Sequence, residues 1–259
     1  MLEIRGLIKS FGGVKAVSSL DMTVREGEIH ALIGPNGSGK TTTINVVSGL
    51  YRANEGSVRF RGDEIGQLAS HAIAQRGITR TFQNIRLFPR LSVLDNVLAG
   101  RHTRLRTNFW MAIVPNPVTA REESESLRRA YDLLAFVGLA DRAGARAGSL
   151  AYGDQRRLEI ARALAAEPAL LLLNEPAAGM NPAETDALVK LLYDIRDRGV
   201  TLLLIEHDMN LVMSISDRIT VLNFGTHIAE GTAAEVSANA DVITAYLGGP
   251  LDAGFAQAR

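Results

Sequence analysis

The chain has 259 residues, 46% hydrophobic and 22% charged, which fits one large α/β domain or two small ones and excludes disorder as the main state. Lys+Arg and Asp+Glu number 28 each, and a net charge of zero argues against a generic polyanion binder that relies on many cation–phosphate contacts. With no cysteine there are no disulfides, zinc–thiolate sites or thiol nucleophiles, which fits a reducing compartment.

The opening segment MLEIRGLIKSFGG lacks the apolar run of a signal peptide, and Glu3 interrupts it early. No stretch approaches the roughly 18 apolar residues of a membrane span. The expectation is a cytoplasmic protein, soluble or peripheral to a membrane. Leu20, Met22 and Val24 alternate with polar residues as in a half-buried antiparallel strand, and Val58 and Phe60 repeat the pattern after a turn at 54–56. Between them the apolar run Ile29–Ile33 predicts a buried strand. It leads into Gly34-Pro35-Asn36-Gly37, and a helix is predicted over 40–50.

From 90 to 165 the pattern is helical, with Leu127, Tyr131, Leu134 and Val137 marking one face and Leu158, Ala161 and Leu164 another. Buried strands follow at 169–173, 201–205 and 219–223. The helix predicted at 183–198 has Asn181 as N-cap, Pro182 at its first position, Glu184 in its first turn and Gly199 beyond its end. Strands alternating with helices mean a parallel sheet with crossover helices, here divided by a helical insertion and joined by an antiparallel β segment. There is no internal repeat, and 249–259 reads as a loose tail.

Gly34-Pro35-Asn36-Gly37-Ser38-Gly39-Lys40-Thr41 satisfies G-x-x-x-x-G-K-[ST] in full and lies between a predicted strand and a predicted helix. Gly37 and Gly39 let successive N–H groups converge on phosphate oxygens, and the helix N-terminus adds its positive dipole end. Lys40 then reaches β- and γ-phosphates, and the Thr41 hydroxyl is a Mg²⁺ ligand; Thr42 extends the phosphate-binding set. Lysine is otherwise scarce, at positions 9, 15 and 190 alone.

The strand at 169–173 runs into Asn174-Glu175-Pro176 and looks like the Walker B strand of a P-loop ATPase. An acidic residue normally holds Mg²⁺ there, and the following Glu activates water. Asn174 takes the metal-holding position without a charge. Two unit charges about 4 Å apart interact by ~4 kcal/mol at an effective dielectric of about 20, so the exchange weakens metal binding. Glu175 remains as the general-base candidate.

Taken together these motifs resemble the ATPase subunit of an ABC transporter along nearly the whole chain, and within that family the subunits of branched-chain amino-acid importers. That resemblance implies a P-loop NTPase (RecA-like) core with an antiparallel β subdomain and an inserted α-helical subdomain. Its parts are core residues 1–88 and 166–232, a helical subdomain at 89–165, and a C-terminal helix and tail at 233–259. It places Phe11 where the family stacks an aromatic ring on adenine, although Phe11 also reads as a buried strand residue. Gln83, in 81–88, matches the Q-loop, which senses the γ-phosphate and contacts the membrane domain, and it joins Thr41 and Asn174 as an expected metal residue. Leu150-Ala151-Tyr152-Gly153-Asp154-Gln155 matches the signature L-S-G-G-Q, so Ala151, Tyr152 and Gly153 meet the ATP of an opposite subunit. Positions 178–181 match the D-loop and His207 the switch histidine.

The resemblance further implies ATP and Mg²⁺ as cofactors and a nucleotide-sandwich dimer, with a second copy or a different ATPase subunit. Membrane-spanning permease subunits, a periplasmic binding protein acting indirectly, and the cytoplasmic face of the inner membrane complete the expected setting, without nucleic acid. Ala151 lacks the signature serine hydroxyl, and a hydrogen bond to a charged acceptor is worth roughly 1.5–3 kcal/mol. Ala151 and Asn174 therefore motivate a rival reading, a weakly hydrolysing regulatory partner subunit; import of another small polar solute is a further alternative. A soluble ABC protein of DNA repair or translation needs coiled-coil insertions or tandem units for which this length leaves no room.

Elsewhere the readings are plain. His30 is a packed strand residue, and His71, His102 and His227 show no metal-ligand spacing. The segment 101–121, with Trp110, Met111, Ile113 and Val114, is either a partner surface or a loop folded on the helical part. Residues 76–106 carry seven Arg against one Asp, a net +6, and 167–208 carry eight acids against three bases, a net −5. The zero balance is the sum of a basic segment and an acidic one.

Overall fold

The structure, a computed structural model, describes residues 1–104 and 117–247. They form two compact units: Met1–Ser70 with the described residues from Thr201 on, and His71–Val200.

In the first unit, strands β1 (Leu2–Phe11), β2 (Val14–Val24), β4 (Glu55–Phe60) and β5 (Asp63–Glu64) make an antiparallel sheet in the order β2-β1-β4-β5. Leu2 pairs with both Val24 and Phe60, so the predicted alternation is seen: Leu20, Met22, Val24, Val58 and Phe60 are all buried. Strand β3 (Ile29–Ile33) pairs in parallel with β8 (Thr201–Ile205) on one side and β9 (Arg218–Asn223) on the other, and β10 (Thr226–Gly231) closes antiparallel on β9. Every residue of β3 and β8 is buried, which is why both read as unbroken apolar runs. His30 packs inside β3, its Nδ1 at 3.0 Å from Glu28 Oε1 and its Nε2 at 2.8 Å from Thr220 Oγ1.

Helix α1 (Lys40–Val47) ends earlier than the predicted 50, because Ser48 caps it and Gly49 turns the chain at φ 72°. The unit closes with α7 (Met209–Ile215), α8 (Ala233–Ser237) and α9 (Ala240–Leu247).

The second unit holds α2 (Ser70–Gln75), the parallel pair β6 (Ile78–Arg80) and β7 (Leu170–Asn174), α3 (Val93–Gly100), α4 (Pro117–Phe136), α5 (Tyr152–Leu164) and α6 (Pro182–Asp197). α6 starts and stops as the sequence dictates. Asn181 accepts from Glu184 N, Glu184 reaches back to Asn181 N, and Gly199 turns out at φ 86°. On α5 the predicted apolar positions Leu158, Ala161 and Leu164 are buried.

On α4 the predicted face is half wrong. Leu134 and Val137 are buried, but Leu127 and Tyr131 stay more than 40% exposed; the inward stripe is Ser126, Ala130 and Leu134. Spacing of four from Leu134 leads to small residues, so burial chose the row that lets the helix approach its neighbours, not the larger side chains one position along. The segment 101–121, read as either a partner surface or a folded loop, falls mostly on 105–116, outside the described residues, as does the tail at 249–259.

Candidate nucleotide site

In the first unit β3 delivers the chain into the phosphate loop. Gly34 has φ 151°, and a Cβ there would stand 2.1 Å from the carbonyl oxygen of Leu222; Gly39, at φ 101°, would meet Ala16 O at 2.5 Å. Glycine is required at both positions, because β9 and β2 press their backbones against the loop. Gly225 N donates to Ser38 O at 3.0 Å and ties the β9–β10 turn to the same loop. Gly39 caps α1 without a side-chain acceptor, and the first turn carries no acid, so the helix N-terminus is positive and uncontested.

Lys40 is only 5% exposed, and its Nζ donates to Gly34 O at 2.6 Å and Pro35 O at 2.9 Å. The ammonium thus lies across the arc of its own loop. Pro35 and Thr42 are half-buried, Ser38 is buried, and Asn36, Gly37 and Thr41 are exposed. Phe11 is 44% exposed and meets Tyr51 edge-on at 5.0 Å, with Lys9 Nζ 5.0 Å from its ring. The buried-strand reading of Phe11 is therefore set aside. His207 is exposed, one residue before Asp208, which caps α7 by accepting from Asn210 N and Leu211 N.

One residue near this loop escaped the sequence reading. Tyr246 of α9 packs on the cluster containing Ile33, Val221 and Val236. Burial pushes its phenol up to about 12, against the opposing pull of the Gly34 backbone.

The second unit assembles a separate set. Gln83, Asn84, Tyr152, Glu175, Ala178 and Gly179 line one cleft of about 490 Å³. Gln83 Nε2 donates to Glu175 Oε2 at 2.9 Å. Glu175 follows β7 in the left-handed region at φ 51°, a conformation costing a non-glycine residue about 1–3 kcal/mol and concentrated at functional positions. Ala178 N donates to Glu175 O at 3.2 Å, so this carbonyl starts the turn at 178–181.

Signature residues and this turn face each other closely. A Cβ at Gly153 would stand 2.8 Å from Glu184 Oε1, and the Tyr152 ring lies 3.4 Å from where a Cβ at Gly179 would be. Ala151 is the N-cap of α5 and makes no side-chain cap; Asp154 stands in the first turn of this 13-residue helix, paired with Arg157.

Asn174 is buried, its N–H donating to Thr81 Oγ1 at 3.3 Å. Its side-chain Oδ1 is buried without a hydrogen-bond partner among the described residues. A buried neutral oxygen left without a donor suits a hard cation or its bound water, so the residues present fit Mg²⁺.

Residues 17–178 match the ABC transporter family model, and 226–252 match that of the branched-chain amino acid ATP-binding cassette transporter. The chain belongs to the ABC transporter family. This cassette is 47% identical over 249 residues to the high-affinity branched-chain amino acid transport ATP-binding protein BraF of Pseudomonas aeruginosa, covering 96% of this chain and 98% of that one. It matches LivG of Salmonella typhimurium to the same extent, and the probable LivG of Archaeoglobus fulgidus at 36% over 254 residues, 96% and 95% of the two chains.

Among solved structures, a nucleotide-free ATP-binding cassette from an ABC transporter superposes with a TM-score of 0.84 at 30% identity, covering 96% of this chain and 99% of that one. A dimeric post-hydrolysis cassette bound to ADP and Pi reaches 0.76 at 25%, covering 90% and 99%. The fold is thus the α/β ATP-binding cassette expected from the motifs, and its family activity is ATP hydrolysis coupled to transport.

Proposed function

We propose that this chain is the ATP-hydrolysing subunit of an importer of branched-chain amino acids. The end-to-end likeness to BraF and LivG carries the reading, with 47% identity over 96% of the chain. It favours the importer ATPase over the weakly hydrolysing regulatory partner.

The phosphate loop binds ATP through its backbone N–H groups and the uncapped start of α1. Lys40 exchanges the carbonyls of Gly34 and Pro35 for the β- and γ-phosphates. Thr41, Gln83 and Asn174 would hold Mg²⁺, which would supply positive charge against the phosphates. Glu175 accepts a proton from water, whose oxygen bonds to the γ-phosphorus as the bond to the β–γ bridging oxygen breaks; ADP and phosphate result. Gln83 and His207 orient groups around the γ-phosphate, and Phe11 stacks on adenine.

The 150–155 motif acts in trans, its helix N-terminus meeting ATP held by a second ATPase subunit. The dimeric relative with ADP and Pi supports this arrangement. The subunit docks on permease subunits at the cytoplasmic face of the membrane, fed by a periplasmic binding protein. Among the described residues no helix is long and apolar enough to cross a membrane. The basic stretch at 76–106, in the Q-loop and the start of the 89–165 helical part, suits the docking side.

Mg²⁺-dependent phosphate release by the purified chain, alone and with its permease subunits, tests the reading. Release that the permease stimulates supports it; ATP binding without turnover in either setting supports the regulatory alternative.

A further inference from the structure

Helix α5 buries two charges that its sequence presents as a surface pair. Arg156 and Glu159 are 0% and 1% exposed, and Arg156 Nη1 donates to Glu159 Oε2 at 2.9 Å. Most of their other hydrogen bonds go to one stretch some seventy residues earlier. Arg156 Nη1 donates to Phe82 O at 2.8 Å and Nη2 to Gln83 O at 3.0 Å. Glu159 Oε1 accepts from Phe82 N at 3.3 Å and Arg86 N at 3.2 Å. The same Nη2 also donates to the Tyr152 hydroxyl at 3.0 Å.

Stability alone does not explain such a pair. Taking two charges out of water costs as much as their attraction returns, and well-packed apolar residues of similar volume often serve as well. Arg156 Nε is moreover buried without a hydrogen-bond partner among the described residues, so the pair is not tuned for maximum stability. What it does fix is geometry: both sides of the Phe82–Gln83 backbone are held, and the side chain so aimed reaches Glu175 at 2.9 Å.

We propose that Arg156 and Glu159 are positioning residues for ATP hydrolysis, holding the Gln83 segment so that its amide meets Glu175 and tying that segment to Tyr152 of the signature motif. The inference rests on the reading of Gln83 and Glu175 as hydrolytic residues. Because one guanidinium serves Gln83 O and Tyr152, a displacement at the signature is felt at Gln83 through a single side chain.

The test uses the full-length chain with both charges replaced (Arg156→Met with Glu159→Met), the conservative Glu159→Gln, and Gln83→Ala alone and in combination. Hydrogen exchange at the Phe82 and Arg86 amides, thermal unfolding, and kcat and KM for Mg-ATP are measured. The double-Met chain is expected to keep KM within about twofold while kcat falls at least about tenfold, and to lose nothing further when Gln83→Ala is added, since coupled groups do not add. Glu159→Gln, which keeps an oxygen facing the two amides, recovers part of kcat. The Phe82 and Arg86 amides exchange slowly in wild type and faster in the double-Met chain.

If the double-Met chain unfolds early, Glu159→Gln carries the kinetic test, with kcat expected between wild type and Gln83→Ala. Unchanged kcat, a full multiplicative loss on top of Gln83→Ala, or fast exchange at these amides in wild type overturns the proposal. No phosphate release by wild type would sink the ATPase reading instead, and the exchange measurement would still decide whether the pair holds the loop.

Discussion

The amide of Gln83 donates to the carboxylate of Glu175 across 2.9 Å, joining two residues 92 positions apart in the chain. The carboxylate leaves β7 in a left-handed backbone conformation, and the amide comes from the loop that follows β6. In that contact the candidate base meets a neutral amide.

Glu175→Gln is therefore expected to bind ATP as wild type does and to hydrolyse it slowly. A positioned general base contributes typically about 10²–10⁴-fold, so phosphate release should fall by at least about 100-fold. Single-turnover phosphate release beside fluorescent-nucleotide binding checks it, and undiminished turnover would remove Glu175 from the base role.

Asn174→Asp restores a negative charge at a buried oxygen that has no hydrogen-bond partner among the described residues. A charge beside a divalent cation is worth several kcal/mol even at an effective dielectric of about 20, so the Mg²⁺ concentration for half-maximal hydrolysis should drop at least about tenfold. A magnesium titration of both proteins at fixed ATP decides it; superimposable curves mean that position 174 does not touch the metal shell.

Much of the architecture is legible in the sequence because it follows local rules. Ile29–Ile33 is apolar throughout since β3 is covered on both faces, and Asn181, Pro182, Glu184 and Gly199 mark α6 at both ends. Other features depend on tertiary partners that no local pattern encodes. Leu127 and Tyr131 read as core because they are large, yet Ser126 and Ala130 turn inward because small residues let α4 approach. Arg156 and Glu159, three apart on a helix, look like a solvated pair; only the backbone of 82–86 makes their burial possible. Tyr246 offers no motif, and its relation to the phosphate loop appears only when α9 packs on β3 and β9.

Gly39→Ala puts a Cβ 2.5 Å from Ala16 O at a φ of 101°. Backbone must move on one side or the other. Strain of this kind typically costs about 1–3 kcal/mol, and here it distorts the loop proposed to receive phosphate. Urea unfolding should show the loss of stability and nucleotide titration a loss of ATP affinity; a variant matching wild type in both would contradict the tight loop packing.

Ala151→Ser supplies an acceptor for the uncapped start of α5. Such a change at an N-cap is worth about 0.5–2 kcal/mol, so the midpoint of thermal unfolding should rise. Hydrolysis should hold or increase, because the hydroxyl is added where the trans phosphate is expected; a fall would show that Ala151 is required as it stands.

Acid stability should depend on Glu167. Burial raises the Glu167 carboxyl, but Arg101 at 3.1 Å and Arg129 outweigh it and hold it below the ordinary 4.5. A carboxylate with a lowered folded-state value contributes stability fully above its unfolded value and loses it as pH falls through the folded one. The difference in unfolding free energy between wild type and Glu167→Gln should be flat at neutral pH and shrink below 4.5. A difference that grows on acidification would reverse the assignment.

ATP-driven leucine uptake tests the central claim most directly. The chain is reconstituted into proteoliposomes with the permease subunits and the binding protein proposed for it, and labelled leucine is followed with ATP supplied on the side of this subunit. Accumulation should require ATP and Mg²⁺ and should be lost in Glu175→Gln. Leucine entry that is the same with and without ATP, or equal in wild type and Glu175→Gln, would contradict it.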